Sequence, residues 1–243
     1  MDIVGHRGAR GEAPENTLTG FDYLRSLNIH RVELDLRLSA DGELIVLHDA
    51  TTNRTCNEKG QADKLSADSL AKLDATKKAF PTWHERSGVP RLEEVLSVWP
   101  EIKHIQLEIK TTDMASLHRI AVALRDTIGQ FNLQENAVVT SSDTRALSIL
   151  QQTAPSIQRG LVAGRFLKNP LQECKHLRCK YLVINHHRCN PNLIQQAHMA
   201  NLFVSVWTVN RVVEAKKFEL WGADSLITDF PKLMQQHLQF VNM

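Results

Sequence analysis

The chain has 243 residues, 42% hydrophobic and 23% charged, which suits an ordinary folded domain long enough to bury a sizeable core. Its 29 Lys plus Arg against 27 Asp plus Glu give a net charge of +2, and no long basic run or basic-aromatic stripe marks a nucleic-acid surface. No apolar segment approaches the roughly 18 residues needed to span a bilayer, and the first four residues lack the basic start and apolar core of an export signal.

Residues 2–4 form a short apolar strand that runs into "GHRGARGEAPENTL", where His6 and Arg7 sit among glycines. Asn16 or Thr17 can cap a helix with Leu18, Phe21, Leu24 and Leu27 on one side. A second strand covers 32–38. The following "SADGE" is too short for a crossover helix between parallel strands, and Asp41-Gly42 is a hairpin signal. Residues 44–47 should therefore return antiparallel, and counting outward from the turn sets His48 opposite Asp35, to within a residue.

Residues 51–90 are irregular and long for a connection, as expected of a functional insertion or small subdomain. Six further strands follow at 104–109, 137–140, 159–163, 181–184, 202–206 and 225–228. Met114, Leu117, Ile120, Ala121 and Leu124 trace one helical face, Asp143 caps a segment through Leu150, Asn190-Pro191 starts a helix, and Gly222 stops another. With the hairpin return set aside, eight strands alternate with helices. This predicts an α/β fold, a distorted (β/α)8 TIM barrel forming a single domain over 1–243 with an insertion at 51–90.

Cys56, Cys174, Cys179 and Cys189 read as reduced thiols, and without an export signal the chain is expected in the cytoplasm. Cys174, His176, Cys179 and Cys189 can be drawn as a zinc site, but their irregular spacing favours ordinary thiols.

In such a barrel the chemistry gathers at the C-terminal ends of the strands. Glu33 and Asp35, two apart on a strand, point the same way, and "LEIK" brings Glu108 and Lys110 to the same mouth. Three converging carboxylates make a hard-cation site for magnesium or calcium, or else pair with Arg7, Arg37 or Lys110 as structural salt bridges. His6 and His48 each end a strand beside a carboxylate strand and are the candidates for proton transfer. His186 and His187 end another strand and are further candidates for substrate contact. Arg7 and Lys110 supply positive charge suited to phosphate and to a developing oxyanion. Together these residues point to phosphoryl chemistry on an anionic substrate.

The segments "GHRGARGEAPENTL", "VELDL" followed by "DGELIVLHD", "VPRLEEVL", "LEIK", "VWTVN" and "GADSLITDFP" resemble, in order, the motifs of the glycerophosphodiester phosphodiesterases, most closely the bacterial cytosolic type. The resemblance implies a distorted TIM barrel and a metal-dependent hydrolase. Its expected substrates are small soluble glycerophosphodiesters such as glycerophosphocholine and glycerophosphoethanolamine, cleaved to sn-glycerol 3-phosphate and an alcohol. It implies Glu33, Asp35 and Glu108 as ligands to one Mg2+ or Ca2+, His6 and His48 as the acid-base pair, and Arg7 and Lys110 at the phosphate. Trp207 falls at the pocket's aromatic position, and Glu15 and Asn16 in the segment that braces the site.

The pattern departs at "SLNIHRVELD", at Ser142 and at "TTNRTC", positions that bear on substrate preference and not on the acid, base or ligands. The alternative on the same barrel is a lysophospholipase D or phospholipase C-type phosphodiesterase. That enzyme would want an exposed apolar rim, for which the insertion offers Phe80 and Trp83.

Overall fold

Residues in the computed structural model are described over 1–111 and 113–238. Their elements run β1 (Asp2–His6), α1 (Leu18–Ser26), β2 (Arg31–Leu38), β3 (Leu44–Val46), a 3-10 turn (Ala62–Lys64), α2 (Ala67–Ala71), α3 (Leu92–Val98) and β4 (His104–Ile109). They continue as α4 (Met114–Gln130), β5 (Ala137–Ser141), α5 (Thr144–Thr153), β6 (Gln158–Ala163), α6 (Pro170–His176) and β7 (Tyr181–Asn185). The last are α7 (Pro191–Met199), β8 (Phe203–Trp207), α8 (Val212–Leu220), β9 (Ser225–Thr228) and α9 (Pro231–His237).

The nearly unbroken apolar runs are strands buried on both faces, as parallel strands beneath helices must be. Parallel pairing passes in order from β2 through β4, β5, β6, β7, β8 and β9 to β1, and β1 closes the barrel on β2. The closing contact is short, Gly5↔Val32 and His6↔Glu33. Where β1 ends, β3 takes over the same edge of β2, antiparallel, with Leu36↔Val46. That substitution is the distortion of the barrel, and it carries His48 to the mouth beside His6.

The hairpin differs from the expected two-residue turn by one residue. Ser39 N–H donates to the Glu43 carbonyl at 3.1 Å, and Gly42, at φ +88°, donates to Ser39 O at 3.0 Å. A three-residue loop of this kind places its glycine in the left-handed region. Leu47 N–H consequently bonds to Asp35 O at 3.0 Å, one residue short of the symmetric count.

The expected caps form. Thr17, Asp143 and Asn190 side chains accept from Gly20, Arg145 and Leu193 N–H, and Gly222 follows α8 at φ +84°. The α4 face of Leu117, Ile120, Ala121 and Leu124 is buried against the barrel. The insertion has its own small core, in which Cys56, Leu70, Leu73 and Val89 pack on Ile45 and Leu47. All four cysteines are buried free thiols. Among the described residues the only cluster with metal-ligand geometry is an acidic one, so zinc has no site at the cysteines. No described helix is long and apolar enough to cross a membrane.

Candidate active site

After His6 the chain turns through Arg7 and Gly8, at φ +53° and +90°. The turn is tight enough that a Cβ on Gly5 would lie 2.0 Å from the Gly8 carbonyl oxygen, so glycine is required there. His6 Nδ1–H donates to Asp229 Oδ1 at 2.5 Å, and Nε2 lies 3.9 Å from Glu33 Oε2. Asp229 follows β9 directly, and the register Gly5↔Thr228 sets it beside His6. Asn210 steadies this carboxylate, donating Nδ2–H to Oδ2 at 2.7 Å and accepting the Asp229 N–H at 2.9 Å. Burial opposes ionisation of Asp229, yet the bonds from His6 and Asn210 hold its pKa below the usual carboxylate value.

Glu33 and Asp35 share the inward face of β2, and Glu108 on β4 stands in register with Asp35. One oxygen of each lies within 4.8 Å of the others. Lys110 Nζ is 2.7 Å from Glu108 Oε1 and 3.3 Å from Asp35 Oδ1. Arg7 Nε sits 3.1 Å from Asp35 Oδ2, which also accepts from Asn16 Nδ2 at 2.9 Å. Arg7 N–H donates to Glu33 Oε2 at 3.1 Å. Arg37 is engaged elsewhere, donating Nε–H to the His48 carbonyl at 2.9 Å.

Glu33 Oε1 is buried and accepts no hydrogen bond among the described residues, and Asp35 Oδ1 has the Lys110 ammonium 3.3 Å away. Burial, then the charges of Asp35 and Glu108, push the Glu33 pKa well up. Burial, reinforced by Asp35, raises Glu108 as well. Burial acts on Asp35 too, but Lys110 and Arg7 outweigh it and hold that carboxyl below the usual range. The salt bridges foreseen as an alternative to a metal are therefore present, and they leave the cluster short of positive charge. An all-oxygen donor set with an orphaned buried oxygen fits a hard divalent cation.

His48, just beyond β3, donates Nδ1–H to Asp49 Oδ1 at 2.6 Å. Arg54 Nε–H donates to Asp49 Oδ2 at 2.7 Å, while its two terminal nitrogens grip Glu15 at 2.7 and 2.9 Å. Glu15 Oε1 in turn accepts from Arg7 Nη1 at 2.9 Å. A continuous relay of alternating charge thus links His48 through Asp49, Arg54, Glu15 and Arg7 to Asp35. Against the effect of burial, Arg54 and then His48 hold Asp49 down at about 2. Burial, only partly countered by Asp35, lowers the pKa of His48.

A cavity of about 280 Å³ opens over these groups, lined by His6, Arg7, Glu33, His48, Glu108 and Lys110, with Ser142 and Trp207 on its walls. Trp207 Nε1–H donates to Val183 O at 3.0 Å, which fixes the ring. A larger cavity of about 470 Å³ beneath the insertion, lined by Arg37, Thr51 and Arg119, contains none of the candidate acids, bases or ligands. His186 and His187 lie against each other, ring centroids 3.9 Å apart, and neither lines the 280 Å³ cavity. Trp83 is taken up by α1, donating Nε1–H to Thr19 Oγ1 at 2.8 Å and packing edge-on against Tyr23.

A model of the glycerophosphoryl diester phosphodiesterase family matches residues 6–233. The chain belongs to this family. It is 32% identical over 235 residues to YhdW of Bacillus subtilis, with 95% of each chain covered. A glycerophosphodiester phosphodiesterase of Caldanaerobacter subterraneus is 27% identical over 233 residues, covering 96% of this chain and 95% of the relative. Among solved structures, a phosphodiesterase of Oleispira antarctica in complex with its product sn-glycerol-3-phosphate superposes with a TM-score of 0.89 at 25% identity, over 98% of this chain and 96% of that one. The fold is that of the family's TIM barrels, and the chain is a phosphoric diester hydrolase of the glycerophosphodiester phosphodiesterase class.

Sequence reasoning sets Asp49 and Asp229 among the polar residues at the strand ends without giving either a role, and it misses Arg54 and Asn210. Asp49 adjoins His48, so its role was open to view in "LHD". The pairing of Asp229 with His6 was findable only by noting that a closed barrel pairs its last strand with its first. Arg54 lies in the irregular "TTNRTC" and gave no periodic signal.

Proposed function

We propose that this chain hydrolyses small soluble glycerophosphodiesters, such as glycerophosphocholine and glycerophosphoethanolamine, to sn-glycerol 3-phosphate and the free alcohol. One divalent cation, Mg2+ or Ca2+, is assigned to Glu33, Asp35 and Glu108. The observation that carries this reading is the pair of imidazole–carboxylate dyads, His6–Asp229 and His48–Asp49, at one cavity with a carboxylate cluster in which the buried Glu33 Oε1 lacks a donor. When bound, the cation supplies Lewis-acid polarisation of a phosphoryl oxygen and a template for orienting the substrate.

The remaining roles follow from the side chains. Each aspartate accepts the Nδ1–H of its histidine, leaving Nε2 as the nitrogen that exchanges a proton with substrate. One imidazole takes the proton of the attacking hydroxyl, and the other delivers a proton to the departing alkoxide. The carboxylate behind each ring stabilises the imidazolium that forms. Lys110 and the cavity-facing part of Arg7 balance charge on the phosphoryl oxygens. Glu15 and Asn16 hold Arg7 and Asp35 in place, and Trp207 offers a fixed ring to the rest of the substrate. The direct test is release of glycerol 3-phosphate from both diesters, with EDTA and after Mg2+ or Ca2+ is restored. Metal-restored release is expected. Turnover unaffected by EDTA would overturn the cation assignment, and no turnover with either diester would overturn the substrate assignment.

A further inference from the structure

The loops that follow β6, β7 and β8 carry a charge pattern that hydrolysis of a small diester does not use. They read "GRFLKN" at 164–169, "HHRCN" at 186–190 and "TVNR" at 208–211, with Arg165, Lys168, Arg188 and Arg211 and not one carboxylate. Because β6, β7 and β8 are adjacent, these loops form one continuous arc of the barrel mouth. Arg188 Nη1–H donates to Gly164 O at 2.7 Å, and His186 N–H donates to Trp207 O at 2.8 Å, tying the three loops together. Gly164 and Trp207 themselves line the 280 Å³ cavity, so the arc borders the entrance to the site.

Among the described residues none of these four cations forms an ion pair, although the chain as a whole is nearly neutral. The pattern is felt locally: repulsion from His186 first, then desolvation and Arg165, outweigh the opposing charge of Glu214 and hold the pKa of the exposed His187 below its ordinary value. Between the starts of α6 and α7 lies an open cleft of about 480 Å³. Lys168 and Arg188 line it together with the amides Asn169, Gln172, Asn190 and Gln196, and no carboxylate faces it. In the loop that leads to Lys168, Phe166 stands 96% exposed, and Val213, in the first turn of the helix that follows the β8 loop, is 74% exposed. A large aromatic side chain held wholly in water beside unpaired cations costs solvation and returns no packing within the chain.

We infer that this arc docks the barrel mouth onto an anionic phospholipid surface. Phe166 enters the boundary between head groups and acyl chains, and a lipid phosphate sits in the Lys168–Arg188 cleft. The chemistry fits on both counts. Aromatic side chains on loop tips partition into the membrane interface, and cations near an anionic surface each add to the attraction. A free phosphate ion would satisfy the cleft but would leave Phe166 and Val213 unexplained. The apolar rim sought in the insertion is thus supplied by the opposite side of the mouth, where among the described residues Phe166 meets no other ring.

Flotation of the full chain with vesicles tests this, comparing phosphatidylcholine containing 40 mol % phosphatidylglycerol, on the order of a strongly anionic bilayer, with phosphatidylcholine alone. The partition coefficient should rise at least about tenfold with the anionic lipid and fall with added salt. Phe166→Ser should lower it about tenfold, and Arg165→Gln or Lys168→Gln about fivefold each. All three side chains are exposed, so unchanged melting temperatures will show the variants to be folded. Equal partition onto both vesicle types, or no measurable binding to either, would overturn the inference. So would binding that Phe166→Ser leaves intact while the cation variants abolish it, since that result describes capture of a phosphate group and not docking on a lipid surface.

Discussion

Replacing Asp229 with Asn removes one negative charge and one acceptor oxygen. The side chain keeps its size, and its remaining oxygen can still accept from His6 Nδ1, 2.5 Å away in the parent, while its amide nitrogen takes the place of the oxygen that accepts from Asn210. What disappears is the charge that stabilises the imidazolium when His6 carries a proton. A charge-assisted hydrogen bond exceeds a neutral one by about 1–2 kcal/mol. Two unit charges about 4 Å apart at an effective dielectric constant of 20 interact by about 4 kcal/mol, which sets the upper limit. The expected loss is about 2.7 kcal/mol of transition-state stabilisation, or about a hundredfold in kcat. Asp229 does not line the cavity, so KM should stay within about threefold. The assay is steady-state release of glycerol 3-phosphate from glycerophosphocholine across pH. A purely structural role for Asp229 would lower the melting temperature along with the rate. A kcat within twofold of the parent would refute the dyad as part of the machinery.

Two further outcomes follow from the same structure. Mg2+ or Ca2+ at about a hundred times its dissociation constant should stabilise the fold by about 2.7 kcal/mol, raising the melting temperature by roughly 5–10 °C. The rise should vanish in Glu33→Gln, whose orphaned oxygen belongs to the proposed site; a shift that survives the substitution would place the cation elsewhere. At the opposite end of the barrel, burial and then Arg31, countered in part by Asp2, lower His104 to about 4, and its ring stacks on Tyr181. Because the folded pKa lies below the unfolded value of about 6.5, the unfolded chain takes up the proton first as the pH falls. This residue therefore costs stability progressively from about pH 6.5 down to about pH 4, by about 3 kcal/mol at the acid end. His104→Phe should gain that amount relative to the parent between pH 7 and pH 4 in denaturant titrations, and a constant difference would contradict the assignment.

The strands were legible because burial on both faces demands apolar runs, and β4 and β9 match their expected bounds residue for residue. α6 was missed, since "PLQECKH" is only seven residues with little periodicity to read. The His48 register falls within the one-residue margin expected, a margin that exists because Asp-Gly announces a turn without saying whether two or three residues make it. Within the site, Glu33, Asp35, Glu108 and Lys110 could be paired by strand spacing alone, and the structure brings them together. Asp229 and Arg54 were different, because their partners lie 223 and 39 residues away and meet only through barrel closure and the path of the insertion. His186 and His187, further candidates for substrate contact, do not line the 280 Å³ cavity.

The central claim is that a hydroxyl attacks phosphorus and that the bond to the alcohol breaks, leaving the phosphate on glycerol. Hydrolysis of glycerophosphocholine in 18O-labelled water, followed by mass analysis of both products, tests it most directly. The account predicts 18O in the phosphate of glycerol 3-phosphate and none in choline. Label in choline, or release of phosphocholine with free glycerol, would contradict it.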